Sequence, residues 1–439
     1  MTSSPPSEGS ARALPGAVPG AAPDRGPVRT ARTVLTSRTS GLLVAQVVAA
    51  AAAFGINLMA ARVMDPDGRG VLALALQVSY IATTAALLGI EAPYVARRAA
   101  PFPVVARELT SLLRPGYWFT GLAVAAAVVL YLGGRTGLAT TVLLASVYAF
   151  GNTHVRAVRT AYIASGAFRP FAATAVVSQL ALLAAGAVLL VLEVADPNVW
   201  IAVYALLSMV ALVVLRTGGR RAGTTPDRAA LTAVRRQGLR LVPASFGNTA
   251  MLRSDRLLLP ALASASELGL YVVVATATEI AGWPVKQWVD ASLRRWRDQP
   301  ARTPGTLRLV ATAAALALGL SAVLAGVTYA AVTYLLPEAY HPSRALLLPL
   351  GAATVVYAAT RVQQGLLVAR GEAGRVSAVE LAGMAVSVVL YVVLIPGWGA
   401  MGAAVGSLVG YSACLAAGAV ALRQTRHAGP ELKRVETGT

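Results

Sequence analysis

A chain of 439 residues that is 56% hydrophobic and 13% charged, with a mean hydropathy of +0.64, cannot cover a soluble surface with polar groups. Soluble domains carry roughly 25% charged residues, so the composition excludes a soluble enzyme and points to one polytopic membrane unit. The net charge of +19 comes from 38 Lys and Arg against 19 Asp and Glu, and its placement along the chain decides its meaning.

Residues 1–40 are rich in Pro, Gly, Ala and Ser and lack a signal-type apolar core, so they are expected to form a disordered tail. Apolar spans follow, each near the ~20 residues that cross a bilayer. They run at 41–62, 70–93, 116–133, 138–160, 171–192, 198–215, 239–262, 267–289, 307–335, 345–368, 376–395 and 399–422. The expected fold is therefore an all-α polytopic membrane protein of about 12 transmembrane helices. Every expected outer loop is short, which leaves no room for an outer catalytic domain, and no enzyme-like constellation is present.

The basic residues fall on alternate connections. With the tail inside, the inner segments hold Arg97, Arg98, Arg107 and Arg114, then Arg216–Arg240, then Arg294–Arg308, then Arg423–Arg434. The outer loops hold only Arg62, Arg69, Arg135 and Arg344. This is the positive-inside pattern and makes both termini cytoplasmic, in a plasma membrane. It accounts for most of the positive charge, so anionic lipid rather than nucleic acid is the expected partner of these loops. Cys414 is the only cysteine, and His154, His341 and His427 are scattered. A disulfide, a metal site and a cofactor are therefore not expected.

Two short matches suggest an internal duplication. A shift of 205 lays Asn152, Arg156, Arg159 and Gly166 over Tyr357, Arg361, Gln364 and Gly371. A shift of 199 lays Gly70 over Gly269. The expected organisation is a tail (1–40), a lobe of six helices (41–215), a basic cytoplasmic linker (216–238), a second lobe of six (239–422) and a cytoplasmic tail (423–439). An even helix number makes the repeat parallel, which places a central cavity between the lobes.

Three segments carry a resemblance to a known family. "MDPDGRGVLALALQVSY" (Met64–Tyr80), "SDRLLLPALASASELGLYVVVATATEI" (Ser254–Ile280) and "VVLIPGWGAMGAAVGSLVGY" (Val392–Tyr411) resemble bacterial polysaccharide flippases of the Wzx type. The resemblance implies the multidrug/oligosaccharidyl-lipid/polysaccharide exporter fold, with two lobes around a cavity that opens alternately to each side. It also implies a substrate, an oligosaccharide on an undecaprenyl diphosphate carrier. Glycosyltransferases or a polymerase of the same pathway would be neighbours.

Charged residues inside apolar helices cost about 2.5–3.5 kcal/mol on insertion scales and are functional candidates by default. Arg253 and Arg256 share a face with Thr249, while Asn248 and Asp255 lie one position round. Arginine grips a diphosphate through its fork of donors, and Asp255 would hold an arginine ready. The competing reading is an Arg–Asp pair that locks two helices. Asn152 and Arg156 on one span and Arg361 on its repeat partner form similar faces, with topological anchoring as the competitor. Gln77, Tyr80 and Glu91 form a polar stripe on the second span. Glu279, Lys286 and Asp290 lie around Pro284's expected kink, with a Lys286–Asp290 pair near the inner mouth. Substrate contact is expected for Asn248, Thr249, Arg253, Asp255, Arg256, Arg361, Arg156, Asn152, Gln77 and Tyr80. Gating or ion coupling is expected for Glu279, Lys286, Asp290 and Glu91.

The expected function is flipping of a lipid-linked oligosaccharide. The alternatives are a drug/cation antiporter of the same fold or a peptidoglycan-precursor flippase. A cavity rich in arginine disfavours cationic drugs.

Overall fold

The computed structural model describes residues 38–97, 100–223, 227–299 and 304–427. The expected N-terminal tail through residue 37, Arg98 of the basic inner segments, and the last part of the C-terminal tail lie outside the described residues. Those described form helices and no strand. In chain order they are α1 (Arg38–Val63), α2 (Pro66–Ala86), α3 (Glu91–Arg97), α4 (Phe102–Leu113), α5 (Tyr117–Leu132), α6 (Thr136–Ala164), α7 (Phe168–Val191), α8 (Pro197–Arg220), α9 (Arg228–Leu262), α10 (Ala265–Asp298), α11 (Thr306–Tyr334), α12 (Leu347–Ala369) and α13 (Ala373–His427).

Among the described residues, eight helical segments are long and apolar enough to cross a membrane. Helices α2, α6 and α9 fall outside that set. They are also the helices that turn arginine and tyrosine toward an internal cavity, as described below, so their lower hydropathy is a consequence of what they line. The α4–α5 pair forms one span through a 3-10 turn at Arg114–Gly116.

Helix α13 is two antiparallel arms. The chain reverses at Gly399, whose φ of 53° and ψ of −130° are not helical. Left-handed φ of this kind is costly for residues with a side chain. Tyr391 Oη then lies 2.8 Å from Ser407 Oγ across the arms. Gly402, Gly406 and Gly410 press against Leu394, Tyr391 and Ser387, so the small-residue run is a packing face. Counting both arms and α2, α6 and α9, twelve membrane-length helices are described, in two lobes related by a parallel repeat.

The repeat is visible in the backbone. Helices α2 and α10 begin at Pro66 and Ala265, 199 apart, each after a capping residue: Asp65 accepts from Gly68 N at 2.8 Å, Ser264 from Glu267 N at 3.2 Å. Helices α6 and α12 end at left-handed Gly166 and Gly371, 205 apart. Both close with the same six-residue bond, Ala167 N to Tyr162 O at 2.9 Å and Glu372 N to Leu367 O at 3.0 Å. The halves meet along α2 and α10. A Cβ on Gly70 would overlap the Ala265 carbonyl, and a Cβ on Gly269 would overlap the Pro66 carbonyl. This reciprocal contact is what a pseudo-two-fold axis between α2 and α10 produces.

Two expected boundaries differ. The second span ends at Ala86 and not at 93, because Leu88 and Gly89 take positive φ. Glu91 is consequently not on the stripe of Gln77 and Tyr80 but opens the separate helix α3. Arg69, read as an outer-loop residue, lies in the first turn of α2: Asp65-Pro66 looks like a loop and is in fact an N-cap with Pro at N1.

Candidate functional site

A cavity of 250 Å³ lies between the halves. Its polar lining is Asn57, Arg69, Gln77, Tyr80, Arg253, Arg256 and Thr276, with Tyr148 and Tyr204 beside them. Several lining positions are equivalent under the 199-residue shift: Asn57 with Arg256, Ala73 with Val272, Gln77 with Thr276. The same shift pairs Tyr80 with Glu279. The corresponding positions differ in charge, Asn57 facing Arg256 and Tyr80 facing Glu279 across the repeat.

The electrostatics are asymmetric. Glu279 holds two arginines at once, Arg256 Nη2 at 2.5 Å and Arg253 Nη1 at 3.3 Å. The Arg253 guanidinium also lies 5.5 Å from the Tyr80 ring centre, within cation–π range. Arg69 donates through Nη2 to Asn57 Oδ1, and Asn57 Nδ2 donates to Val273 O across the halves at 3.2 Å. Arg69 is 6% exposed and has no carboxylate partner among the described residues. Its Nε and Nη1, and the Nε of Arg256, are buried without any acceptor. An unmet buried donor costs about 1–3 kcal/mol, and more when it is charged. Three arginines therefore stand against one carboxylate in this cavity and leave three donors open.

Asp255 does not hold an arginine side chain. It accepts from Tyr271 Oη at 2.6 Å and from the Arg256 backbone N at 2.8 Å. Its position one residue round from Arg256 turns it away from the cavity into the second half. The ready-making carboxylate is Glu279, which the sequence reading placed among the gating residues. The side chains of Asn248 and Thr249 lie outside the described residues.

A second chamber, of 760 Å³, adjoins the first. It is lined by Glu91, Asn152, Arg156 and Arg159, and shares Tyr80 and Tyr148 with the central cavity. Arg156 grips Glu91 through Nε, at 3.1 Å, and Nη2, and reaches Thr84 through Nη1 at 3.0 Å. Asn152 donates to Thr83 at 3.3 Å.

The expected Lys286–Asp290 pair does not form. Asp290 instead lies 3.9 Å from Arg361, whose Nη1 donates to Gln364 at 2.9 Å. The neighbour on α12 offers Asp290 a cation from outside its own helix, and Lys286 has no carboxylate within ion-pair distance among the described residues. The structure thus brings together Gln77, Tyr80, Arg253, Arg256 and Glu279 at one cavity and Glu91, Asn152 and Arg156 at another, and leaves Arg361, Lys286 and Asp290 off both linings. Sequence reading missed Arg69, Asn57 and Tyr204 as lining residues. Arg69 could have been found from the capping signal of Asp65 three residues before Gly68.

No protein-family model matches the chain, and no curated sequence is similar to it at a significant level. Solved structures do resemble it. A lipid II flippase, MurJ, in an inward closed conformation is 8% identical with a TM-score of 0.61 over 88% of this chain and 87% of that one. An inward-facing multidrug resistance MATE transporter of the MOP superfamily is 14% identical with a TM-score of 0.56 over 93% and 98%. A MATE multidrug transporter, DinF-BH, is 13% identical with a TM-score of 0.54 over 88% and 96%. At these identities the likeness is one of fold alone: the chain is a multi-pass membrane protein folded like these structures.

Proposed function

We propose that this protein flips an undecaprenyl-diphosphate-linked oligosaccharide from the inner to the outer leaflet of a bacterial plasma membrane, for cell-surface polysaccharide synthesis. The observation that carries the reading is the central cavity, in which Arg69, Arg253 and Arg256 stand against Glu279 alone and leave buried guanidinium donors open. A diphosphate supplies the acceptors those donors lack. Tyr80, Tyr148 and Tyr204 supply flat apolar faces with polar rims beside them, a surface suited to sugar rings. An aromatic cation would instead need carboxylates to outnumber arginines here.

In the mechanism, the headgroup enters from the cytoplasmic side and displaces Glu279 from Arg253 and Arg256. The lobes, 41–215 and 239–422, then rock about the α2–α10 crossing while the lipid tail stays in the bilayer. Both termini and the basic linker 216–238 face the cytoplasm, where pathway glycosyltransferases work.

The test is lipid extraction from cells lacking the gene, followed by mass spectrometry. Accumulation of an undecaprenyl-diphosphate oligosaccharide, reversed by the unaltered gene and not by an Arg256→Ala copy that inserts normally, is the expected result. Unchanged lipids together with new sensitivity to cationic drugs would transfer the assignment to an antiporter. Accumulated lipid II alone would transfer it to a peptidoglycan-precursor flippase.

A further inference from the structure

The second chamber repeats the chemistry of the central cavity with residues of its own. Each has two or more arginines, one carboxylate that neutralises them in part, and Tyr80 on its wall. Tyr80 stands between the two sets: its ring centre is 5.5 Å from the Arg253 guanidinium and 6.0 Å from that of Arg156. Tyr80 and Tyr148 are the residues common to both linings.

We propose that the chamber lined by Asn152, Arg156 and Arg159 is a separate binding station for a diphosphate group, with Glu91 as the counter-ion that the diphosphate displaces and Tyr80 as the partition toward the central cavity. The proposal rests on the flippase reading and divides its pathway into two stations.

Three features support it. First, the charge is incomplete. Arg156 is matched by Glu91, but Arg159 has no carboxylate partner among the described residues and rests 5.4 Å from the Phe171 ring centre. Two cations against one carboxylate leave a net positive chamber, as in the central cavity. Second, Glu91 is displaceable. It belongs to the seven-residue helix α3, which follows the Leu88–Gly89 break, and its side chain is 31% exposed. The pair opens onto the chamber, so a multiply charged anion can compete with the singly charged Glu91 for Arg156. Third, the chamber is built from α2, α3 and α6, all in the first half, whereas the central cavity draws on both halves. Movement of one half against the other reshapes the central cavity directly and reaches this station only through Tyr80 and through α9, whose Gly238 packs on Gly89. A substrate can therefore be loaded here before the inter-lobe cavity accepts it.

The full chain, purified in detergent, is titrated calorimetrically with inorganic pyrophosphate and, separately, with farnesyl diphosphate. Two equivalents are expected to bind. Arg159→Gln should weaken one of them and spare the other, and Arg256→Gln should do the reverse. Glu91→Gln should tighten the first by about threefold to tenfold, because it frees Arg156 from its competitor. Should Glu91→Gln fail to fold, the exposed Arg159 position still decides the matter. Tighter binding of farnesyl diphosphate supports the station and assigns it to a prenyl-linked headgroup; tighter binding of pyrophosphate supports it and assigns it to the free ion.

A single equivalent, lost in Arg256→Gln and indifferent to Arg159→Gln, overturns the second station and leaves the flippase reading standing. Binding of neither titrant overturns both. A Glu91→Gln protein that is less stable and binds no more tightly makes the Arg156–Glu91 pair a structural tie, which also overturns the proposal.

Discussion

At the scale of single residues, Arg69 separates function from stability. It is a buried cation with one hydrogen-bonded nitrogen and two open ones. Burying a charge costs several kcal/mol, which one hydrogen bond from Arg69 does not offset. Arg69→Met is therefore expected to raise the unfolding midpoint of the ligand-free protein in detergent while weakening pyrophosphate binding. A lowered midpoint would make Arg69 a structural anchor for Asn57 instead. The identity of the other central cations was legible, since Arg253 and Arg256 interrupt an apolar run. Their partner was not. Asp255 is their neighbour in sequence, but successive helix positions point about 100° apart, and the carboxylate that reaches both arginines comes from Glu279 on the next helix.

At the scale of elements, the reversal in α13 depends on Gly399. The Glu267 carboxylate accepts from Ala400 N at 2.6 Å, at the start of the second arm, where an acidic group also meets the positive end of a helix dipole. A Cβ at Gly399 would be strained by its φ and would meet that carboxylate. Gly399→Ala is expected to cost about 1–3 kcal/mol. Gly319, in the interior of α11 with open space around it, is the control: Gly319→Ala should be neutral or stabilising by up to ~1 kcal/mol. Equal unfolding midpoints for the two variants in detergent would discard the strained-hinge account. Most helices were legible from apolar runs. The short helices α3 and α4 were not, because they lie in the charged stretch between two spans, and the ends of α8 and α9 run past their apolar segments to Arg220 and from Arg228.

At the scale of the whole molecule, the two halves are joined where α2 and α10 cross at Gly70 and Gly269. The contact is between backbones, so an added methyl group has nowhere to go. Gly→Ala in an ordinary helix raises stability; here Gly70→Ala and Gly269→Ala are each expected to lower the yield of monodisperse protein in size-exclusion chromatography and to reduce transport by comparable amounts. The comparable size follows from the pseudo-two-fold relation of the two sites. A large loss at one glycine with none at the other would argue against a shared pivot. The same crossing keeps Asn57 bonded to Val273 and Tyr340 Oη bonded to Met64 O at 3.1 Å. Inter-lobe movement must therefore break or carry these two bonds.

The sequence by itself determined the membrane class, the approximate helix number, the duplication and the presence of arginine in apolar helices. These follow from local quantities: hydropathy per span, charge per loop, and the recurrence of glycine at separations of 199 and 205 residues. Only the tertiary structure decided which side chains share a cavity, that Glu279 and not Asp255 balances the central arginines, that Arg69 is inside, and that Tyr80 borders two adjoining chambers. The reason is physical. Ion pairing and burial depend on distances of a few ångströms between helices that are far apart in sequence. Those distances are set by how the halves pack, and no spacing along one helix records them.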